Sequence, residues 1–230
     1  MLHLILDSSQ PYTHWVLAKN QAVLGEIKSE QRFDTAEQTL ILLQNLLKKH
    51  ALDLTDITSY AYIAGPGSFT GLRIGAATLK ALSFSNHQQN IVALDPCYLL
   101  AQQYVLNQAE KQDCLLVPVI ASRKNHFYHC TYDYTQKNLA LKQAVCEQAM
   151  TELNNDYFME AKNKPIIFLG PDCTLLNEQP FFQQHDNTNM TAQTLAYFAY
   201  QEIMANNFVD KASFGPNYIV QSVAKPKHNR

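Results

Sequence analysis

Residues 65–75 read Gly65-Pro66-Gly67-Ser68-Phe69-Thr70-Gly71-Leu72-Arg73-Ile74-Gly75 and hold four of the chain's seven glycines. An apolar run, Ser59 to Ala64, precedes them, and a helical pattern follows from residue 68 to 84. A glycine-rich turn between strand and helix brings backbone N–H groups to the positive end of the helix, where anions are favoured and other segments can come close. Gly67, Ser68 and Thr70 are therefore the candidate anion- or nucleotide-facing residues. The run is not a Walker A loop. That motif ends Gly-Lys-Ser/Thr, so that lysine reaches phosphate and hydroxyl reaches magnesium, whereas Leu72 and Arg73 follow Gly71 here. It is not a nucleophile elbow either, because Pro66 and Thr70 stand where Gly-x-Ser-x-Gly needs glycines. The competing reading is structural: Ser68 caps the helix and the glycines allow tight packing.

Other chemistry-bearing residues form no pattern. No His-x-x-x-His pair is present, and His126 and His129, three apart in a strand-like run, point to opposite faces. The five cysteines, at 97, 114, 130, 146 and 173, include no Cys-x-x-Cys pair, so neither a zinc site nor a redox motif is indicated. We assign no catalytic residue and no metal site. With no signal peptide, reduced thiols in a cytoplasmic protein are expected. No apolar run approaches the roughly 20 residues needed to span a bilayer. A net charge of −2 gives no electrostatic reason for the chain itself to bind nucleic acid. The tail Lys225-Pro226-Lys227-His228-Asn229-Arg230 is the one basic cluster, expected to be a disordered end.

The elements that must position these residues follow from period and punctuation. Leu2 to Leu6 is a strand. Tyr12 to Ala18 and Ala22 to Ile27 form a hairpin. Asp34 to Lys49 is a helix with Asp34 as N-cap. Its leucines, Leu40, Leu43 and Leu47 among them, cover more than one face, which hints at a partner. A strand over 59–64, a helix over 68–84, a strand over 91–94 and a helix over 96–107 follow. On the second helix Phe69, Arg73, Ala76, Ala77, Lys80 and Phe84 share one face at helical spacing, the other face suiting close packing on the sheet. The second half repeats the order: a strand over 115–120, a hairpin from 127–134 and 139–145, a helix over 148–153, a strand over 165–169 and a helix over 191–206. The repeated order suggests duplication.

The complete glycine-rich run resembles the signature of the bacterial tRNA threonylcarbamoyladenosine biosynthesis proteins TsaB, also called YeaZ. The opening Leu2-His3-Leu4-Ile5-Leu6-Asp7-Ser8, the Arg123…Tyr128 element and the closing Pro216-Asn217-Tyr218-Ile219 suit that family in order and spacing. The resemblance implies an actin-like, sugar-kinase and Hsp70-type ATPase fold of two related subdomains. These would be residues 1–95 and 96–210, with 211–230 a C-terminal segment partly returning to the first. It implies a non-catalytic partner and activator of the catalytic subunit, TsaD, which transfers threonylcarbamoyl to N6 of adenosine 37 in tRNA. A small ATPase, TsaE, would join through the complex, tRNA would be met only indirectly, and the chain alone would be a homodimer. No cofactor would be tightly bound, and ATP or ADP would be held only in the assembled complex. The phosphate hairpin of actin-like ATPases needs a glycine, yet Asp7-Ser8-Ser9-Gln10-Pro11-Tyr12 has none and Pro11 removes a donor. A weak ATPase, or a peptidase-like hydrolase as an older glycoprotease label suggests, is the alternative. The expected partner interface is Leu40, Leu43 and Leu47 with Phe69, Arg73, Ala76, Ala77 and Lys80. Where the family has an acidic residue, a glycine and a closing arginine, this chain has Ala121, Asn125 and Val220. Thr35 stands where the family has a histidine.

Overall fold

The computed structural model describes residues 1–30, 35–85, 90–108, 112–149, 164–176, 184–210 and 212–219. Two five-stranded mixed sheets carry the fold. The first contains β1 (Leu2–Asp7), β2 (His14–Lys19), β3 (Ala22–Lys28), β4 (Ser59–Ile63) and β5 (Ile91–Leu94), in the order β3-β2-β1-β4-β5. The second contains β6 (Cys114–Ala121), β7 (His126–Thr135), β8 (Asn138–Ala149), β9 (Ile166–Leu169) and β10 (Gln184–Asp186), in the order β10-β9-β6-β7-β8. Each sheet thus has three antiparallel strands from a meander, then two parallel strands beyond the first. This is the actin-like, two-subdomain α/β architecture that the family resemblance implied, and the paired sheets match the duplication that the order of the elements suggested.

Strand alternation decides what each face meets. On β1, Leu4 and Leu6 point into a core with Trp15, Leu17, Leu42, Leu43, Leu46, Leu47, Ala76 and Leu79, under α1 (Thr35–Lys49) and α2 (Phe69–Ser85). The Trp15 indole N–H donates to the Thr39 carbonyl at 2.8 Å, tying α1 to β2. Ile5, between them, points the other way, into the core that joins the halves. That core is filled by α3 (Pro96–Asn107) and α4 (Ala192–Met204). The helix after β5 packs on the second sheet, and the helix after β10 packs on the first. The halves therefore exchange helices, and α3 and α4 touch in the middle. Buried Gln103 on α3 fastens this crossing. Its amide donates to the Asn189 carbonyl at 3.0 Å, and its oxygen accepts from the Thr191 N–H at 2.9 Å and the Thr194 hydroxyl at 2.6 Å.

One expectation needs correction. The helix expected over 148–153 does not begin there, because β8 continues to Ala149, held to β7 by cross-strand pairing; residues 150–163 lie outside the described residues. The chain also has a strand, β10, and a 3-10 turn, Pro171–Leu176, that its apolar pattern did not reveal. The N-cap at Asp34 lies outside the described residues, as do Val220 and the basic tail. Among the described residues, no helix is long and apolar enough to cross a membrane.

Candidate functional site

The glycine-rich turn closes on the loop that follows β1. The Ser68 N–H donates to the Ser9 carbonyl at 2.7 Å, and the Ser8 hydroxyl donates to the Gly71 carbonyl at 2.8 Å. A Cβ on Gly71 would fall inside the Ser8 carbonyl, and one on Gly75 would overlap the Ser8 hydroxyl. Glycine at these two positions is what lets α2 reach the loop. The Ser68 hydroxyl accepts the Gly71 N–H at 3.3 Å, so it caps the helix. The packing and capping roles are therefore both present. Of the three expected anion-facing residues, Gly67 packs on Ser9, Ser68 is engaged through its N–H and hydroxyl, and Thr70 is exposed. The Gly65–Pro66 peptide is cis.

The segment around residues 212–218 lies along the same turn and along α2. The Asn217 N–H donates to the Ala64 carbonyl at 2.7 Å, and the Tyr62 hydroxyl donates to the Gly215 carbonyl at 3.0 Å. Lys80 donates to the Ala212 carbonyl at 3.2 Å and lies 5.0 Å from the Phe214 ring centre. Arg73 donates from Nε to the Tyr218 hydroxyl at 2.7 Å, with its guanidinium 3.9 Å from the centre of the Phe69 ring. Both cations of α2 are thus held by neighbours within the chain while remaining on the surface.

The outer face of α1 and α2 differs from the expected one in three residues. Leu43 (2% exposed), Leu47 (7%) and Ala76 (5%) are core. Ala76 lies four residues beyond Leu72 and three before Leu79, so it falls on their inward stripe rather than beside Arg73. What remains outside is Leu40, Phe69, Arg73, Ala77 and part of Lys80. Ile41 and Phe84, both more than half exposed, extend this face. The two helices are adjacent, and each carries exposed apolar side chains.

A second feature lies between the halves. Asp7 (5% exposed) ends β1, and its Oδ1 accepts from the Ser9 N–H at 2.9 Å and the Ser9 hydroxyl at 2.6 Å. Beside it a cleft of about 60 Å³ is lined from the first half by Asp7, Gln10, Tyr12, His14 and Lys28, and from the second by Asn189 and Met190. That is room for about four to six waters, far below the several hundred Å³ of a typical drug-sized ligand pocket. His14 is buried and bonded through Nε2 to Glu26 at 2.7 Å. Desolvation and then Lys28 lower its pKa, against the raising effect of Asp7 and Glu26.

In the second half, the matching hairpin holds the family departures. Ala121 donates its N–H to Asp172 at 2.8 Å. Asn125 adopts φ 60°, a left-handed conformation that asparagine tolerates where the family has glycine. Glu147 accepts from the Ser122 hydroxyl and pairs with Arg123 at 3.2 Å. Sequence reasoning also missed the cross-strand pair of His129 and Cys146, whose Nε2 and Sγ lie 3.3 Å apart. Burial lowers the His129 pKa. The other four cysteines are buried. Among the described residues, no group of three histidine, cysteine or acidic side chains is placed to hold a metal.

The family model "TsaD: tRNA N6-adenosine threonylcarbamoyltransferase" matches residues 25–225. The chain belongs to this family, on its TsaB/YeaZ side. It is 26% identical over 175 residues to the tRNA threonylcarbamoyladenosine biosynthesis protein TsaB of Bacillus subtilis, covering 76% of this chain and 73% of that protein. It is 27% identical over 132 residues to TsaB of Haemophilus influenzae, covering 52% and 54% respectively. The crystal structure of YeaZ from Pseudomonas aeruginosa superposes with a TM-score of 0.75 at 19% identity, covering 94% of this chain and 99% of that one. That likeness carries the fold. The resemblance first seen in the glycine-rich run therefore holds across the chain.

Proposed function

We propose that this chain takes part in forming threonylcarbamoyladenosine in tRNA, as a non-catalytic partner that binds and activates the catalytic subunit TsaD. The observation that carries this reading is the outer surface of α1 and α2. Leu40, Ile41, Phe69 and Phe84 are exposed there around Ala77, in a chain whose curated relatives are TsaB proteins. Single exposed apolar residues are ordinary on a surface, but several on two adjacent helices mark an interface. A small residue at the centre lets a second helix come close. The related fold of the catalytic subunit would offer a similar helix pair, and a copy of this chain would compete for the same surface as a homodimer. TsaE would join the assembly afterwards. The small cleft beside Asp7 supports the view that nucleotide is held only in the assembled complex, and the low net charge supports an indirect relation to tRNA.

The experiment is reconstitution. Purified chain, cognate catalytic subunit, the small ATPase, tRNA and activated threonylcarbamoyl donor are combined, and modified adenosine is counted by mass spectrometry. Omitting this chain should abolish product. It should form none when the catalytic subunit is the component omitted. Full modification without this chain would remove the proposed role.

A further inference from the structure

Near its start, α2 holds an arginine that is fixed in place yet pairs with no acid. Phe69, Arg73, Ala77 and Ala81 follow one another at intervals of four and are all exposed, so they form one outward stripe. The Arg73 guanidinium carbon lies 3.9 Å from the Phe69 ring centre and 5.6 Å from that of Tyr218, and the two rings are 5.1 Å apart. Its Nε donates to the Tyr218 hydroxyl at 2.7 Å. Tyr218 is held in turn by the backbone before it. The Asn217 N–H donates to the Ala64 carbonyl at 2.7 Å, and a Cβ on Gly65 would meet the Asn217 carbonyl at 2.8 Å. With Nε used, the edge formed by Nη1 and Nη2 is left over. Among the described residues no carboxylate pairs with Arg73, whereas Arg123 meets Glu147 at 3.2 Å. A guanidinium already held by ring contacts and one hydrogen bond gives up little further rotamer freedom when it pairs.

Two terminal nitrogens side by side suit a bidentate carboxylate or phosphate. A nucleic acid backbone asks for several free cations. Here Lys80, the other cation of α2, donates to the Ala212 carbonyl, and Lys48 of α1 stands beside Asp53. The neighbours of Arg73 along the stripe are apolar, which suits a protein partner and strengthens a charge pair by excluding water. A second copy of this chain is poorly equipped to supply the acid. It brings an α2 with no acidic residue, an α1 whose one acidic residue is Glu37 in the first turn, and a second Arg73 of like charge. We infer, resting on the reading of this face as the partner surface, that Arg73 is its specificity contact. It receives an Asp or Glu carboxylate of the partner protein on Nη1 and Nη2, and thereby favours that partner over a copy of this chain.

The test is calorimetry of the whole chain with the purified catalytic subunit at low and high salt, alongside sedimentation of the chain alone. Arg73→Gln removes the charge, and Arg73→Lys keeps the charge without the planar fork. Position 73 is exposed, so Tm should stay within about 2 °C of wild type. Both variants should bind the subunit about tenfold more weakly or worse. Tyr218→Phe, which removes only the hydroxyl that holds Nε, should cost about threefold. Wild-type affinity for the subunit should fall with added salt, while self-association of the chain should not. In a carbodiimide reaction the amine introduced by Arg73→Lys should form an amide with an Asp or Glu of the subunit, located by mass spectrometry. The inference fails if Arg73→Gln binds the subunit within about twofold of wild type, or if self-association weakens with salt as steeply as the heterologous contact. It fails equally if Arg73→Gln leaves the subunit's affinity unchanged but lowers tRNA retention on filters, which would assign the fork to phosphate. A wild-type chain that does not bind the subunit overturns the proposed function and this inference together, a result distinct from a wild-type chain that binds no better than Arg73→Gln.

Discussion

The outer face of the first sheet carries two helices of 15 and 17 residues. In the second half, β9 is followed by the six-residue 3-10 turn Pro171–Leu176; residues 177–183 lie outside the described residues. The connections nevertheless begin alike. Gly65-Pro66 follows β4 and Gly170-Pro171 follows β9, and both glycines have positive φ, 121° and 102°. Their surroundings then diverge. After Gly65 the further glycines bring a full helix onto Ser8. After Gly170 the Asp172 carboxylate takes the Ala121 N–H instead. Two connections that begin alike thus continue differently among the described residues: the first into the 17-residue helix α2, the second into a turn that Asp172 ties to β6.

The comparison is broken most strongly at Gly71. Alanine there must push α2 away from the Ser8 carbonyl, a backbone contact that cannot yield. We expect a loss of about 3 kcal/mol or more in urea unfolding. Gly170→Ala meets the flexible end of Leu100 and the Val119 carbonyl at 3.1 Å, and should cost about 1–2 kcal/mol through its positive φ. Equal losses at the two sites would mean that the turns are equivalent after all.

Next comes the junction between the halves. His3 on β1 is fully buried and stacked near Tyr200 of α4, with ring centres 6.4 Å apart. Desolvation, and then the N-terminal charge, lower its pKa from 6.5 to about 4. The folded chain therefore refuses a proton that the unfolded chain accepts. This stability is present above pH 6.5 and is lost as pH falls toward 4. At about 1.4 kcal/mol per pH unit the full effect is on the order of 3 kcal/mol. His14 and His129, also lowered, act in the same direction. His3→Phe should flatten the acid limb of stability against pH. An unchanged limb would show that His3 does not govern it. At the same junction, Gln103→Leu strands the Thr191 N–H and the Asn189 carbonyl. It should cost about 2 kcal/mol, measured by denaturation, and raise hydrogen exchange at the start of α4. A smaller loss without faster exchange would show that α4 is anchored elsewhere.

Much of this was legible before the structure. Glycine spacing and apolar patterning gave β4, α2, β5 and α3 nearly to the residue, because local chemistry decides those elements. The 3-10 turn was not legible, since Cys173 and Leu176 are apolar at a spacing that longer helices also use. The outer face was half legible. Periodicity shows that α1 is apolar on several sides, but Leu43, Leu40 and Ile41 look alike until a sheet covers one of them. Ala76 and Ala77 likewise differ by only one 100° step. The seating of Arg73 was invisible because the fold, not sequence distance, brings Tyr218 beside it.

That single step gives the most direct measurement. Ala76→Glu buries an unpaired charge in the core of this chain and should unfold it, a loss of about 3–5 kcal/mol. Ala77→Glu, one residue on, changes an exposed position and should leave stability within about 0.5 kcal/mol. Affinity for the purified catalytic subunit is then measured by calorimetry for wild type and Ala77→Glu. The account predicts a folded Ala77→Glu chain whose binding to the catalytic subunit is abolished, with loss of tRNA modification. A folded Ala77→Glu chain that binds with wild-type affinity would contradict it, and would place the partner on some other surface.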